Sequence, residues 1–191
     1  MNAAANPKTL TWQLSLSSGL SSSAIAWFGG GGYSHIDVVT TDGWLRGARH
    51  DRIGNKPSGY FDRPPDYGND VWIRRTLFAL EITAAQYVAY WSFSRQQLGK
   101  PYDDRGIWGF ALGKRDWRED DSWFCSEEVA ANLEYAQLIN PLFEGTNRVD
   151  PGDCAFIFCA LGASIYEMTP GEKLNESLQR IKNSGIKPGL Q

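Results

Sequence analysis

The sequence predicts an α+β fold, a small antiparallel sheet with helices packed on it. Three observations lead there. Two alternating runs, residues 34–41 (SHIDVVTT) and 44–50 (WLRGARH), flank Asp42-Gly43, a dipeptide that turns hairpins. Thr83-Ala84-Ala85-Gln86 is a capping box, in which Thr83 and Gln86 satisfy orphan N–H groups at a helix start. Cys125, Val129, Leu133 and Ala136 recur at helical spacing, so Phe124 to about Tyr135 reads as a helix with one packed face. A length of 191 residues suits one domain, 1–191, with a core at about 11–165 and loose tails at 1–9 and 170–191.

In chain order, Thr11–Ser17 alternates and reads as the first strand. A short helix, Ser22–Phe28, is expected next, ended by four glycines, Gly29 to Gly32, that form a hinge or close-approach loop. The glycines belong to no phosphate-binding pattern, since neither G-x-x-x-x-G-K-[ST] nor G-x-G-x-x-G is present. The hairpin follows. With a two-residue loop its register sets Val39 opposite Arg46, Asp37 opposite Ala48 and His35 opposite His50. A bulge at Gly47 would shift that register by one.

Residues 51–70, rich in Gly, Pro, Asn and Asp, read as a long loop, and Val71–Phe78 as a strand. The capping-box helix carries a predicted buried stripe of Ala84, Tyr87, Val88, Trp91 and Leu98, and Gly99 and Pro101 end it. Gly106–Leu112 is a short apolar helix or turn. Asp153–Ala163 is an apolar run that suits either a strand or a buried helix.

Composition excludes several classes. A net charge of −3 with no basic stripe gives no footprint for nucleic acid. No apolar run approaches the length of a membrane span. The N-terminal MNAAANPKTL lacks the basic start and apolar core of a signal peptide, so a cytoplasmic location is expected, or release by lysis or in a virion. Eight tryptophans suggest an aromatic-lined groove, although tryptophan is also good core filler. Cys154 and Cys159 have neither a metal nor a redox spacing and read as reduced core residues.

The chemistry centres on Cys125. At a helix start, free N–H groups and the positive end of the helix dipole favour a thiolate. A nucleophilic cysteine also needs a histidine, and the chain has only His35 and His50. The plain alternative is a small buried hydrophobe. Asp37, two residues from His35 on the same face, reads first as a solvated strand carboxylate, with a partner for the ring as the reserve reading. Glu127 and Glu128 suit the helix start, but Glu128, one turn from the thiol, would instead repel a thiolate, so neither is assigned a catalytic role. Ser126 caps or packs. Cys125, His35 and His50 are only three zinc ligands, so no metal and no cofactor is expected.

The stretches GYSHIDVV, DGW, LGKPYDDRGIWGF and WFCSEEVA, in that order, resemble the permuted branch of the NlpC-type papain-like cysteine hydrolases. That branch includes the YaeF/YiiX-like proteins and is related to lecithin retinol acyltransferase. The resemblance covers roughly residues 33 to 160, and in it the histidine precedes the cysteine, as here. It implies a circularly permuted papain-like fold, with Cys125 as nucleophile and His35 as base. The family's third polar group lies on the following strand, facing the histidine. The hairpin register nominates His50 there, although the family pattern has this residue nearer the turn, where this chain has Gly47 and Ala48. Tyr102 and Asp103 match a recurrent G-x-P-Y-D stretch. Tyr102 and Trp123 are expected to line the substrate groove, with a structural hydroxyl capping a turn as the alternative for Tyr102.

The resemblance implies an amide-cleaving cysteine hydrolase working through a thioester, on a small peptide or acyl substrate, with peptidoglycan-type peptides favoured. Its alternatives are a hydrolase or acyltransferase for lipid or other acyl esters, and a non-catalytic virion or binding module that keeps the fold.

Overall fold

The computed structural model describes residues 7–18, 32–52, 55, 57–68, 71–103, 122–142, 145–146 and 149–184. The expected helices at Ser22–Phe28 and Gly106–Leu112 lie outside the described residues. The described elements are β1 (Lys8–Ser17), β2 (His35–Val39), β3 (Leu45–Arg49), β4 (Gly59–Arg63), β5 (Trp72–Ile82), α1 (Ala84–Gln97), α2 (Cys125–Tyr135), α3 (Pro151–Ala160), β6 (Ser164–Glu167) and α4 (Leu174–Ser184). The six strands form one antiparallel sheet in the order β4-β3-β2-β1-β5-β6. The fold is α+β.

One face of the sheet carries the larger core. Leu10, Trp12 and Leu14 of β1, Ile36 and Val38 of β2, and Phe78 and Leu80 of β5 alternate toward α1, α2 and α3. Trp12 stacks on Phe158 of α3 at 4.3 Å and donates from Nε1 to the Tyr90 hydroxyl of α1 at 2.9 Å, so one side chain ties the sheet to two helices. On the other face Val39, Leu45 and Leu77 meet Met168 and Leu174. Residues 170–184, expected as part of a loose tail, are therefore packed structure, and β1 begins at Lys8 inside the other expected tail. The polar character of α4 misled because only one stripe of it needs to be apolar.

The hairpin forms, in a different register. Thr40 N donates to Trp44 O at 2.8 Å and Gly43 N to Thr40 O at 3.0 Å, with Gly43 at φ 79°. The loop is thus three residues, Thr41-Asp42-Gly43, a turn closed by a left-handed glycine. Val39 pairs with Leu45, not with Arg46, which pairs with Val38. Continued by that count, Asp37 lies across from Gly47 and His35 across from Arg49.

The loop expected over 51–70 contains β4, which pairs with β3 from Leu45↔Arg63 to Arg49↔Gly59. Its flanking glycines and prolines masked five residues of strand. α1 begins at the expected box, with both Thr83 and Gln86 bonds formed. Its buried face is Tyr90, Trp91, Ser94 and Gln97, while Val88 and Leu98 face outward, so of the predicted stripe only Trp91 is buried, with Ala84 and Tyr87 half-buried. The 153–163 run resolves as helix, with β6 directly after it. A second capping box, Asp150 with Asp153, starts that helix.

Candidate active site

α2 starts at Cys125, with Phe124 as an extended N-cap whose side chain has no atom to accept an N–H. The approach to it is pinned. Trp123 N donates to Pro101 O at 3.1 Å, Asp103 N to Trp123 O at 3.0 Å, and Tyr102 and Trp123 form a short parallel bridge. The Trp123 indole donates to Gln97 Oε1 at 3.2 Å, with Lys100 Nζ 5.5 Å from the ring centroid. Tyr102 is buried with Ala48, Tyr60 and Phe124. Ser126 Oγ donates to Val149 O at 2.8 Å, fixing the first turn of α2 against the start of α3. The expected stripe of Cys125, Val129, Leu133 and Ala136 is buried.

His35, at the first position of β2, is buried, and the Cys125 thiol is near enough to favour its charged form. Its Nε2 lies 3.0 Å from Asp37 Oδ2. Burial disfavours the charged ring, but Asp37, assisted by Cys125, outweighs it and raises His35 to about 9. Burial also opposes charge on Asp37, and His35 followed by Arg63 reverses that, holding the carboxyl below its usual range. The two groups form a buried ion pair at neutral pH.

Tyr67, from the turn after β4, completes the cluster. Its hydroxyl donates to Asp37 Oδ2 at 2.7 Å, lies 3.1 Å from His35 Nε2, and accepts from Arg49 Nη1 at 3.1 Å. The other Asp37 oxygen, Oδ1, has no hydrogen-bond partner and lies over Gly47, where an added Cβ would sit 2.2 Å from it. Gly47 makes room for the Asp37 carboxylate. Beside it the fully buried Arg63 donates to the carbonyls of Gly47, Phe61 and Gly59.

His50 is elsewhere. It is exposed, with its ring centroid 6.0 Å from that of Tyr102, and the one-residue change of register sets Arg49 in the place expected for it. Glu128 is fully buried, bonded by the amide of Asn132. Burial raises its carboxyl to about 8 in spite of Tyr60 and Asn132, so it is neutral at pH 7 and does not repel a thiolate. Cys154 is buried, while Cys159, expected in the core, is exposed; both are free.

Asp37 was legible as a neighbour of His35, but it is fully buried and not the solvated carboxylate expected. Tyr67, Arg49 and Arg63 carried no motif, and only their convergence in space marks them. Among the described residues no group of three or more His, Cys, Asp or Glu is placed to hold a metal, and no helix is long and apolar enough to cross a membrane.

No family model matches the chain, and no curated protein matches it. Among solved structures it is similar to the crystal structure of metalloprotein yiiX from Escherichia coli O157:H7, with a TM-score of 0.49 and 21% identity over 70% of this chain and 68% of that one.

Proposed function

We propose that the protein is a cysteine hydrolase of the permuted NlpC-type papain-like kind, with Cys125 as nucleophile, His35 as general acid and base, and Asp37 in the orienting role expected of His50. One observation carries the reading: His35, which feels the Cys125 thiol at the start of α2, lies 3.0 Å from the buried carboxylate of Asp37.

The reaction follows from that arrangement. The Cys125 thiolate attacks an amide carbonyl, and the backbone N–H of Cys125 faces the developing oxyanion. Protonated His35 gives its proton to the leaving amine, the C–N bond breaks and a thioester remains. Neutral His35 then takes a proton from water, the hydroxide adds to the thioester, and the acid leaves with the thiolate restored. Asp37 keeps the ring in one tautomer and orientation through both steps. Tyr102 and Trp123, fixed beside the helix start, border the acyl-binding side. Small peptides of the peptidoglycan type are the favoured substrates.

The test is a panel of wall-derived peptides and acyl esters incubated with the protein and with Cys125→Ala, read by product mass. Cleavage by the parent alone supports the reading, and amide against ester products assign the class. Equal product from both proteins overturns it.

A further inference from the structure

Asp37 has two oxygens in unlike surroundings. Oδ1 is wedged over Gly47 with no hydrogen bond, so the orientation of the carboxylate is set at Oδ2. Two donors meet there, His35 Nε2 at 3.0 Å and the Tyr67 hydroxyl at 2.7 Å. A phenol has one proton. Because Arg49 Nη1 donates to the phenol oxygen at 3.1 Å, that proton is committed to Asp37. The guanidinium is itself held by Asp51 at 2.8 Å and lies 5.1 Å from the centroid of the Tyr67 ring. The hydroxyl stands between Arg49 and Asp37, receiving from one and donating to the other.

We propose that Tyr67, backed by Arg49, is a positioning residue for the His35–Asp37 pair, its hydroxyl pinning Asp37 Oδ2 against the imidazole. The proposal deepens the hydrolase reading and rests on it. Without the hydroxyl, Oδ2 keeps His35 as its one donor, the carboxylate turns more freely, and the averaged pull on the ring weakens. The ring of Tyr67 is not needed for this; its edge contact with Trp72 at 5.1 Å seats the turn.

The ring of His35 reports on the pair directly. Among the described residues, the charged and titratable groups around the pair are Asp37 on β2, Cys125 and Glu128 on α2, Arg49 and Asp51 at and after the end of β3, Arg63 on β4, Tyr67 in the turn after it, and Arg75 on β5. Tyr67→Phe removes one oxygen and leaves every charge in place. The experiment is NMR titration of the two histidines in the full chain, in a four-way comparison of parent, Tyr67→Phe, Asp37→Asn and the double variant. Tyr67→Phe is expected to lower the His35 midpoint by about half to one pH unit. In the Asp37→Asn background the same change should move it by less than half as much, since only the direct contact of the hydroxyl with His35 Nε2 at 3.1 Å remains there.

An unchanged midpoint, or an equal shift in both backgrounds, overturns the proposal. A raised midpoint also overturns it, because the phenol would then be competing with the ring for Oδ2 and not aligning it. The titration needs no substrate. If His35 responds as expected while Cys125 shows no enhanced alkylation, the positioning holds and the hydrolase reading fails; if Cys125 is reactive and His35 does not respond, the reverse follows.

Discussion

At the scale of single residues, the site turns on where a carboxylate can go. Asp37 reaches His35 along its own strand, two residues on, and its second oxygen occupies space that any Cβ at position 47 would take. Gly47→Ala is therefore expected to displace Asp37, lower the His35 midpoint and cut turnover at least 10-fold while the chain still folds. Chemical-shift titration and circular dichroism together check this, and an alanine variant with an unshifted His35 would contradict it. Asp37→Asn should carry the His35 midpoint from about 9 toward the ordinary value near 6.5. His50→Ala should leave that midpoint in place, since Asp37 and not His50 lies against the ring. In the proposed mechanism the imidazolium is the proton donor to the leaving group, so turnover should fall as pH rises through about 9, and Asp37→Asn should move that fall to lower pH.

At the scale of elements, the sequence was informative where a local device ends or turns a segment. The Thr83–Gln86 box started α1, and the Cys125 stripe gave the buried face of α2. It was uninformative where one residue of loop length decides the outcome. Asp42-Gly43 announces a hairpin equally well with two loop residues or with three, and that single residue replaced His50 by Arg49 opposite His35. β4 was hidden because strand propensity over five residues competes with turn residues on both sides, and pairing with β3 settled it. Glu128 gives a prediction at this scale. Its carboxyl, raised by burial to about 8, holds a proton in the folded chain that the unfolded chain loses near pH 4.5. Its contribution to stability is full below about pH 4.5 and is lost as pH rises to about 8. Glu128→Gln, which copies the neutral form, should flatten the decline in denaturant midpoint between pH 5 and pH 8. A parent and variant with parallel declines would contradict the assignment.

At the scale of the whole molecule, the sheet is held from both faces, and the second face reaches the site. Arg75 on β5 donates to Gln13 Oε1, to Asp66 Oδ1 at 3.2 Å and to Glu172 O at 3.0 Å. Asp66 Oδ1 also accepts from Leu174 N at 3.2 Å, and Asp66 precedes Tyr67. The start of α4 thereby braces the turn that carries the Tyr67 hydroxyl. The carboxyl of Glu172, which burial would raise, is held at about 2 by Thr169, Ser177 and Tyr166, so the charged bonds that tie the start of α4 to β6 persist across the working pH range. Truncation after Met168 removes Leu174 from the second core and is expected to destabilise the fold by about 2 kcal/mol or more, roughly the cost of losing one buried leucine. A truncated chain with the parent's unfolding midpoint would contradict this account of α4. None of this was legible in the sequence, because the bracing contacts join residues about a hundred positions apart and α4 is polar on its outward side.

In the proposed mechanism Cys125 is an activated nucleophile and His35 activates it. The most direct measurement is the rate of iodoacetamide alkylation of each cysteine at pH 6, read by peptide mass, in the parent and in His35→Ala. At that pH a free thiol, with pKa about 8.5, is almost wholly protonated and reacts slowly. The account predicts that Cys125 labels at least 10-fold faster than free cysteine and loses most of that advantage in His35→Ala, while buried Cys154 stays unlabelled and exposed Cys159 labels no faster than free cysteine. Cys125 reacting no faster than free cysteine in the parent, or equally fast without His35, would contradict it.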